Sequence, residues 1–139
     1  YGPKDNFHPE NSHVIPGLIR RFHFANEAKV QCWGDGSPMR EFMYVDDLAD
    51  ACIFAMNKYE KADLINVGSG EEVSIKELAT MIAEITGYNG QILWDKSKPN
   101  GTPKRALDYS KISSLGWKPQ YNLRKGLQIS YNWFKGNAV

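Results

Sequence analysis

A chain of 139 residues, 42% apolar and 24% charged, has the composition of one globular domain, long enough for a core and short for a two-lobed enzyme. Its 17 basic and 16 acidic side chains leave a net charge of +1, which argues against the broad cationic face of a nucleic-acid binder. No apolar run approaches the roughly 20 residues of a membrane span, and no signal-peptide pattern opens the chain. Cys32 and Cys52 lack the spacing of a zinc site or a disulfide framework, so no metal is expected and a reducing cytoplasm is the simplest setting.

Tyr1-Gly2-Pro3, with no initiator methionine before it, reads as the middle of a turn and so as part of a longer protein. Residues 1–12, rich in Pro, Asn, His and charge, show no periodicity and read as a loop. From His13 onward Val14, Ile15, Leu18, Ile19 and Phe22 recur at helical spacing, with Pro16 tolerable in the first turn. Val14, Leu18 and Arg21 fall at i, i+4 and i+7, which sets a cation along one edge of the apolar stripe. Residues 29–33 and 41–45 read as short strands on either side of a Gly/Ser/Pro turn. Asp46 or Asp47 then caps a helix with Leu48, Ala51, Cys52, Ala55, Met56 and Tyr59 on its buried stripe, which makes Cys52 a small core hydrophobe.

Residues 63–67 form an apolar strand ending in Gly68-Ser69-Gly70. That is a turn into the next helix rather than a phosphate loop, because Val73 stands where a third glycine belongs. Ser74 and Glu77 make a capping box for a helix through Ile75, Leu78, Ile82 and Ile85, ended by Gly87. Residues 91–94 are another strand, 98–105 a basic loop stiffened by Pro and Gly, and 109–115 a short helix closed by Gly116. Asn122 caps a last helix with Leu123, Leu127, Tyr131 and Phe134 on one face, stopping at Gly136. No repeat or linker divides the chain, so residues 1–139 are taken as a single domain of the α+β class with several short strands and about five helices.

The chemistry concentrates around residues 33–47. The Trp33 indole offers a flat face for a base, and the Arg40 guanidinium a planar fork for phosphate oxygens, although a core anchor and a surface ion-pair partner fit the same two residues. Arg20/Arg21, Arg40 and Lys104/Arg105 each lie beside an aromatic or apolar partner. Brought together, they would make a pocket for a dianionic, partly aromatic ligand. His13 opens a helix, where the helix dipole acts against a cationic ring, a setting suited to proton transfer near neutral pH; a polar cap is the plainer role. Tyr121 and Lys125 have the Tyr-x-x-x-Lys spacing of short-chain dehydrogenases, but they straddle a helix cap after Pro119, so the match reads as chance. No G-x-G-x-x-G opens a βαβ unit, so the chain has no dinucleotide-binding fold of its own.

Several segments together resemble the C-terminal part of the GDP-L-fucose synthase family, extended short-chain dehydrogenase/reductases. They are Tyr1-Gly2-Pro3, Asp5 to His8, Ser12 to Pro16, Trp33-Gly34-x-Gly36-x-Pro38-Met39-Arg40-Glu41-Phe42, Val45-Asp46-Asp47, Ile65 to Gly68 and Lys98-Pro99-x-Gly101-Thr102-Pro103. The resemblance implies an NADP-dependent 3,5-epimerase and 4-reductase that converts GDP-4-keto-6-deoxy-mannose to GDP-L-fucose. It implies that His13 is the epimerisation acid/base beside the nicotinamide, that Arg21, Trp33 and Arg40 hold the GDP moiety, and that Val14, Leu18 and Arg105 line the nucleotide pocket. Asn100 stands where the family usually has aspartate and can still accept a hydrogen bond. The family's Ser-Tyr-Lys triad, catalytic cysteine and glycine-rich NADP loop belong to an N-terminal Rossmann domain outside this chain. The resemblance therefore implies that this chain alone is inactive, that it exposes apolar surface where that domain docks, and that the whole enzyme is a homodimer with neither nucleic-acid nor membrane partners. The alternatives are another nucleotide-sugar epimerase or dehydratase, a non-catalytic nucleotide-sugar binding module, and an α+β domain whose cations are only surface charge.

Overall fold

The computed structural model describes residues 1–138. Helices and short strands follow one another as α1 (Val14–His23), β1 (Lys29–Trp33), β2 (Met39–Glu41), α2 (Val45–Lys58), β3 (Glu72–Ser74), α3 (Ile75–Thr86), β4 (Gln91–Asp95), β5 (Lys104–Arg105), α4 (Ser110–Ser114) and α5 (Leu123–Asn137). The mixture of five helices with short strands is the expected class. None of the described helices is long and apolar enough to cross a membrane.

The main core follows from the helical stripes. α1 turns Ile15, Leu18, Ile19 and Phe22 inward, and Pro16 is buried with them in the first turn, where a missing N–H forfeits no intrahelical bond. That face packs on α3, which buries Leu78, Ala79 and Ile82, and α3 packs in turn on α5, which contributes Leu123, Leu127 and Phe134. The parallel pair β1–β4 closes the core. β1 alternates, with Val30 and Cys32 inward and Lys29, Gln31 and Trp33 outward. A second sheet has the order β3-β2-β5, β2 running antiparallel to β3 and parallel to β5. A smaller cluster of Ala51, Ile112 and Trp117 joins α2 to α4, and Trp117 Nε1 donates to Asp50 Oδ2 at 2.9 Å.

The Ser74–Glu77 capping box and the left-handed Gly87 at the end of α3 stand as expected. Asn122 caps α5 through the Lys125 N–H, and the helix runs one residue past Gly136. Tyr121 lies outside that helix, so it does not share a helical face with Lys125.

Four expectations need correction. Strand β2 ends at Glu41 instead of continuing to residue 45, because pairing with β3 stops at Glu41 and pairing with β5 already at Arg40. Beyond them the chain is held by Tyr1, whose N-terminal amine donates to the Met43 carbonyl and whose own carbonyl accepts from the Val45 N–H. Neither Asp46 nor Asp47 is the N-cap of α2. Tyr44 takes that position without a side-chain bond, and the buried Asp47 carboxylate instead accepts the Gln120 and Tyr121 N–H groups at 2.9 and 3.1 Å. Residues 63–67 are not a strand, since no described segment offers them an edge. Cys52 is exposed rather than buried, together with Leu48, Ile53 and Met56, because among the described residues only Ala51 of that stripe meets the fold closely.

Candidate functional site

α1 and β1 frame a cleft of about 520 Å³ whose lining includes His13, Val14, Leu18, Arg21, Trp33 and Trp94. The volume suits a small organic ligand. His13 is the N-cap of α1 by backbone geometry only. Its ring makes no capping bond, contrary to the plainer sequence reading, and the residue is exposed at the cleft. Val14 and Leu18 follow one turn apart on the helix edge, and Arg21 completes the row. Arg21 Nη1 donates to the Gln31 carbonyl at 2.9 Å, so the guanidinium is fixed against β1.

On β1 the alternation that buries Cys32 turns Trp33 out. Its side chain is 67% exposed, which rules out the core-anchor reading, and Lys98 Nζ lies 5.8 Å from its ring centroid. Burial pushes the Cys32 thiol up, with Arg21 beside it acting in the opposite sense. Cys32 and Trp94, paired across β1 and β4, both line the cleft. Neither is among the expected site residues; the parallel pairing of β4 with β1 brings Trp94 there, and no local pattern announces it.

The turn after Trp33 is tightly specified. Gly34 has φ 77°, and a Cβ there would overlap Asn100 Oδ1. That same oxygen accepts the Asp35 N–H at 2.8 Å. Asn100 therefore faces the backbone of the turn that carries Trp33. A carboxylate oxygen could accept that bond as well, but the Asn100 amide also helps to hold the Asp35 carboxyl below its usual range, after the Ser37 hydrogen bonds, which a second carboxylate would not do.

From Asn100 the chain passes to the second sheet. A Cβ at Gly101 would lie 3.6 Å from Arg40 Nη2, and Met39 N–H donates to the Pro103 carbonyl at 2.8 Å. The parallel pairing of β2 with β5 then sets Arg40 directly opposite Arg105. Opposed residues of adjacent strands project from the same face, so two guanidinium groups share one side of the sheet. Lys104 is tied up by Glu72 at 2.8 Å, whereas Arg21, Arg40 and Arg105 pair with no carboxylate among the described residues. Five of the eight expected residues thus meet in one cleft, Arg40 and Arg105 form an in-register pair, and Asn100 lies on the loop between them.

Gly68-Ser69-Gly70 holds an anion, but the anion is a side chain. Glu41 Oε1 accepts the Gly70 N–H at 2.7 Å and the Ser69 hydroxyl at 3.4 Å, and Oε2 accepts the Leu107 N–H at 2.8 Å. Its donors are therefore engaged within the fold. Glu41 and Asp47 are the residues that sequence reasoning missed as anchors. A carboxylate inside an apolar strand is the only local signal Glu41 offers.

Residues 1–68 match the NAD dependent epimerase/dehydratase family. Over essentially its whole length the chain is similar to GDP-L-fucose synthases. It is 56% identical over 142 residues to a protein named probable GDP-L-fucose synthase 1 from Oryza sativa subsp. japonica, covering 100% of this chain and 43% of the relative. Against the GDP-L-fucose synthase of Escherichia coli (strain K12) the identity is 48%, over 99% of this chain and 46% of the relative. The crystal structure of a GDP-L-fucose synthetase from Naegleria fowleri bound to NADP superposes with a TM-score of 0.90 at 29% identity, covering 99% of this chain and 44% of that one. The chain spans less than half the length of these relatives.

Proposed function

We propose that this chain is the GDP-sugar-binding part of an NADP-dependent GDP-L-fucose synthase, the enzyme that epimerises GDP-4-keto-6-deoxy-mannose at C3 and C5 and reduces it at C4. The observation that carries the reading is the in-register pair Arg40 and Arg105, two cations on one sheet face with no carboxylate partner among the described residues. Such a pair is self-repelling until an anion lies across it, and a diphosphate supplies two. The loop that carries Arg105 also pins the turn of Trp33 through Asn100, and this link supports giving the exposed indole to the guanine base. Arg21, Val14 and Leu18 line the cleft between Trp33 and His13.

In this reading His13 moves the proton in epimerisation. Its imidazole is exposed at the cleft and makes no capping bond, so a ring nitrogen can exchange a proton with a carbon next to the sugar's keto group on one face, while the proton on the opposite face goes to or comes from the family's cysteine in the N-terminal domain. NADP, when bound, supplies the hydride for reduction at C4. From this chain His13 is the residue placed to meet the nicotinamide, and the rest of the cofactor's contacts come from an N-terminal Rossmann domain. That domain also accounts for the uncovered apolar surface of α2 and the following segment, where Met56 is 85% and Leu64 92% exposed. The chain alone is accordingly inactive, and the complete enzyme is a cytoplasmic homodimer; both cysteines being free thiols agrees with a reducing compartment.

Calorimetric titration of the chain with GDP, UDP and NADP at low salt tests this, repeated on Arg40→Ala. Binding of GDP in preference to the other two, weakened by the substitution, is the expected result. Equal binding of UDP would favour another nucleotide-sugar enzyme of the superfamily, and unchanged binding in Arg40→Ala would remove the arginine pair from the diphosphate.

A further inference from the structure

Strand β5 is only two residues long, and residues 101–108 are exposed throughout, so little of the fold fixes where Arg105 stands. Two hydrogen bonds bracket it. Upstream the Pro103 carbonyl accepts from the Met39 N–H, and downstream the Leu107 N–H donates to Glu41 Oε2 at 2.8 Å. Glu41 follows Arg40 on β2, so its side chain leaves the opposite face of the sheet and does not neutralise the cation pair. Its other oxygen is held by Gly70 and Ser69, and a Cβ at Gly68 would come within 2.5 Å of it, so the Gly-Ser-Gly turn closes around the carboxylate.

We infer that Glu41 is a positioning residue: its carboxylate, cradled by the Gly68–Gly70 turn, fixes the downstream end of β5 and thereby holds Arg105 opposite Arg40 for a nucleoside diphosphate. The inference rests on the diphosphate reading of the arginine pair. One strand therefore carries the ligand's cation on one face and the anchor for its partner cation on the other.

The test is a double-mutant cycle of Glu41→Gln and Arg105→Ala, with affinity for inorganic pyrophosphate and GDP measured by calorimetry and the Leu107 and Gly70 amides followed by hydrogen exchange. Glutamine keeps the size but turns an NH2 toward one of two N–H donors, so one bond is lost. Glu41→Gln should weaken pyrophosphate binding roughly tenfold and speed exchange at Leu107 or Gly70, whereas in the Arg105→Ala background it should cost less than about twofold. Leu107→Pro deletes one donor at an exposed position, leaves the carboxylate in place and should reproduce the loss even if Glu41→Gln proves unstable. Normal affinity in either variant despite faster exchange, or the same fold-loss in both backgrounds, overturns the positioning role. Failure of the unsubstituted chain to bind pyrophosphate or GDP is a different result. It removes the diphosphate reading, and this inference with it, before any variant is made.

Discussion

Arg105→Ala and Lys104→Ala, adjacent substitutions on the two-residue strand β5, should move stability and ligand affinity in opposite directions. Arg105 is the strand partner of Arg40, and two unit charges in water as close as the strand spacing of about 4.8 Å repel by about 0.9 kcal/mol, an upper bound for guanidinium groups on long side chains, with Arg40 Nη1 held on the Met39 carbonyl. Physiological salt roughly halves that figure, and an exposed side chain loses little packing on truncation. Arg105→Ala should therefore leave stability unchanged or raise it by up to about 0.5 kcal/mol. Its cost appears only with ligand, since a charge-assisted contact of about 1.5–3 kcal/mol corresponds to a roughly 10- to 100-fold loss of GDP affinity. Lys104 instead pairs with Glu72 at 2.8 Å, both side chains partly exposed, so Lys104→Ala should cost no more than about 1 kcal/mol and spare GDP binding. Urea denaturation of the two variants across a salt series, followed by calorimetry with GDP, separates the effects. A clear loss of stability in Arg105→Ala, or GDP affinity that falls more in Lys104→Ala, would refute the arrangement of one free and one neutralised cation.

Asp47→Ala should be among the most damaging single changes. It strips two N–H groups of a buried charged acceptor and should lower unfolding free energy by about 3 kcal/mol, read as a lower urea midpoint at constant m-value. The Tyr1 phenol is held well above its ordinary range, by burial first and then by the charges of Glu71, Asp47 and Tyr44, while its hydroxyl donates to the Leu123 carbonyl at 3.3 Å. A raised folded value means its contribution is fully present below the ordinary phenol range near 10 and is lost as pH climbs through that range toward the folded value. Stability should fall with pH above about 10, and Tyr1→Phe should flatten that slope.

The helices were legible because each writes its own evidence. The 3.6-residue stripe of α1, the Ser74/Glu77 box of α3 and the Asn122 cap of α5 are local patterns that the structure keeps unchanged. The short strands were not, because a strand of two or three residues has no period. β3 and β5 exist through their pairing with Met39 to Glu41, a fact about distant segments. The site divides the same way. The row of Val14, Leu18 and Arg21 follows from spacing on one helix, and the outward turn of Trp33 from alternation on one strand. The meeting of Arg40 with Arg105 depends on a register between residues far apart in sequence, and so does the grip of Glu41 on Leu107.

The misreadings around α2 share one physical cause. Helical periodicity reports which face of a helix is apolar, not what covers it. α2 has the expected stripe, yet Leu48, Cys52 and Met56 are exposed and only Ala51 is fully enclosed. Residues 63–67 have the composition of a strand but no strand neighbour among the described residues; Ile65 and Val67 pack half-buried against the Ala51, Ile112 and Trp117 cluster, and the Lys111 ammonium donates to the Leu64 carbonyl. A stripe without a cover and a strand without an edge sit in one stretch of chain. The relatives are more than twice as long as this chain, and a sheet edge with an apolar face, supplied by the further domain proposed above, would satisfy both at once. The sequence pattern at α2 was therefore sound as chemistry: it reports an apolar face, and the described residues leave that face uncovered.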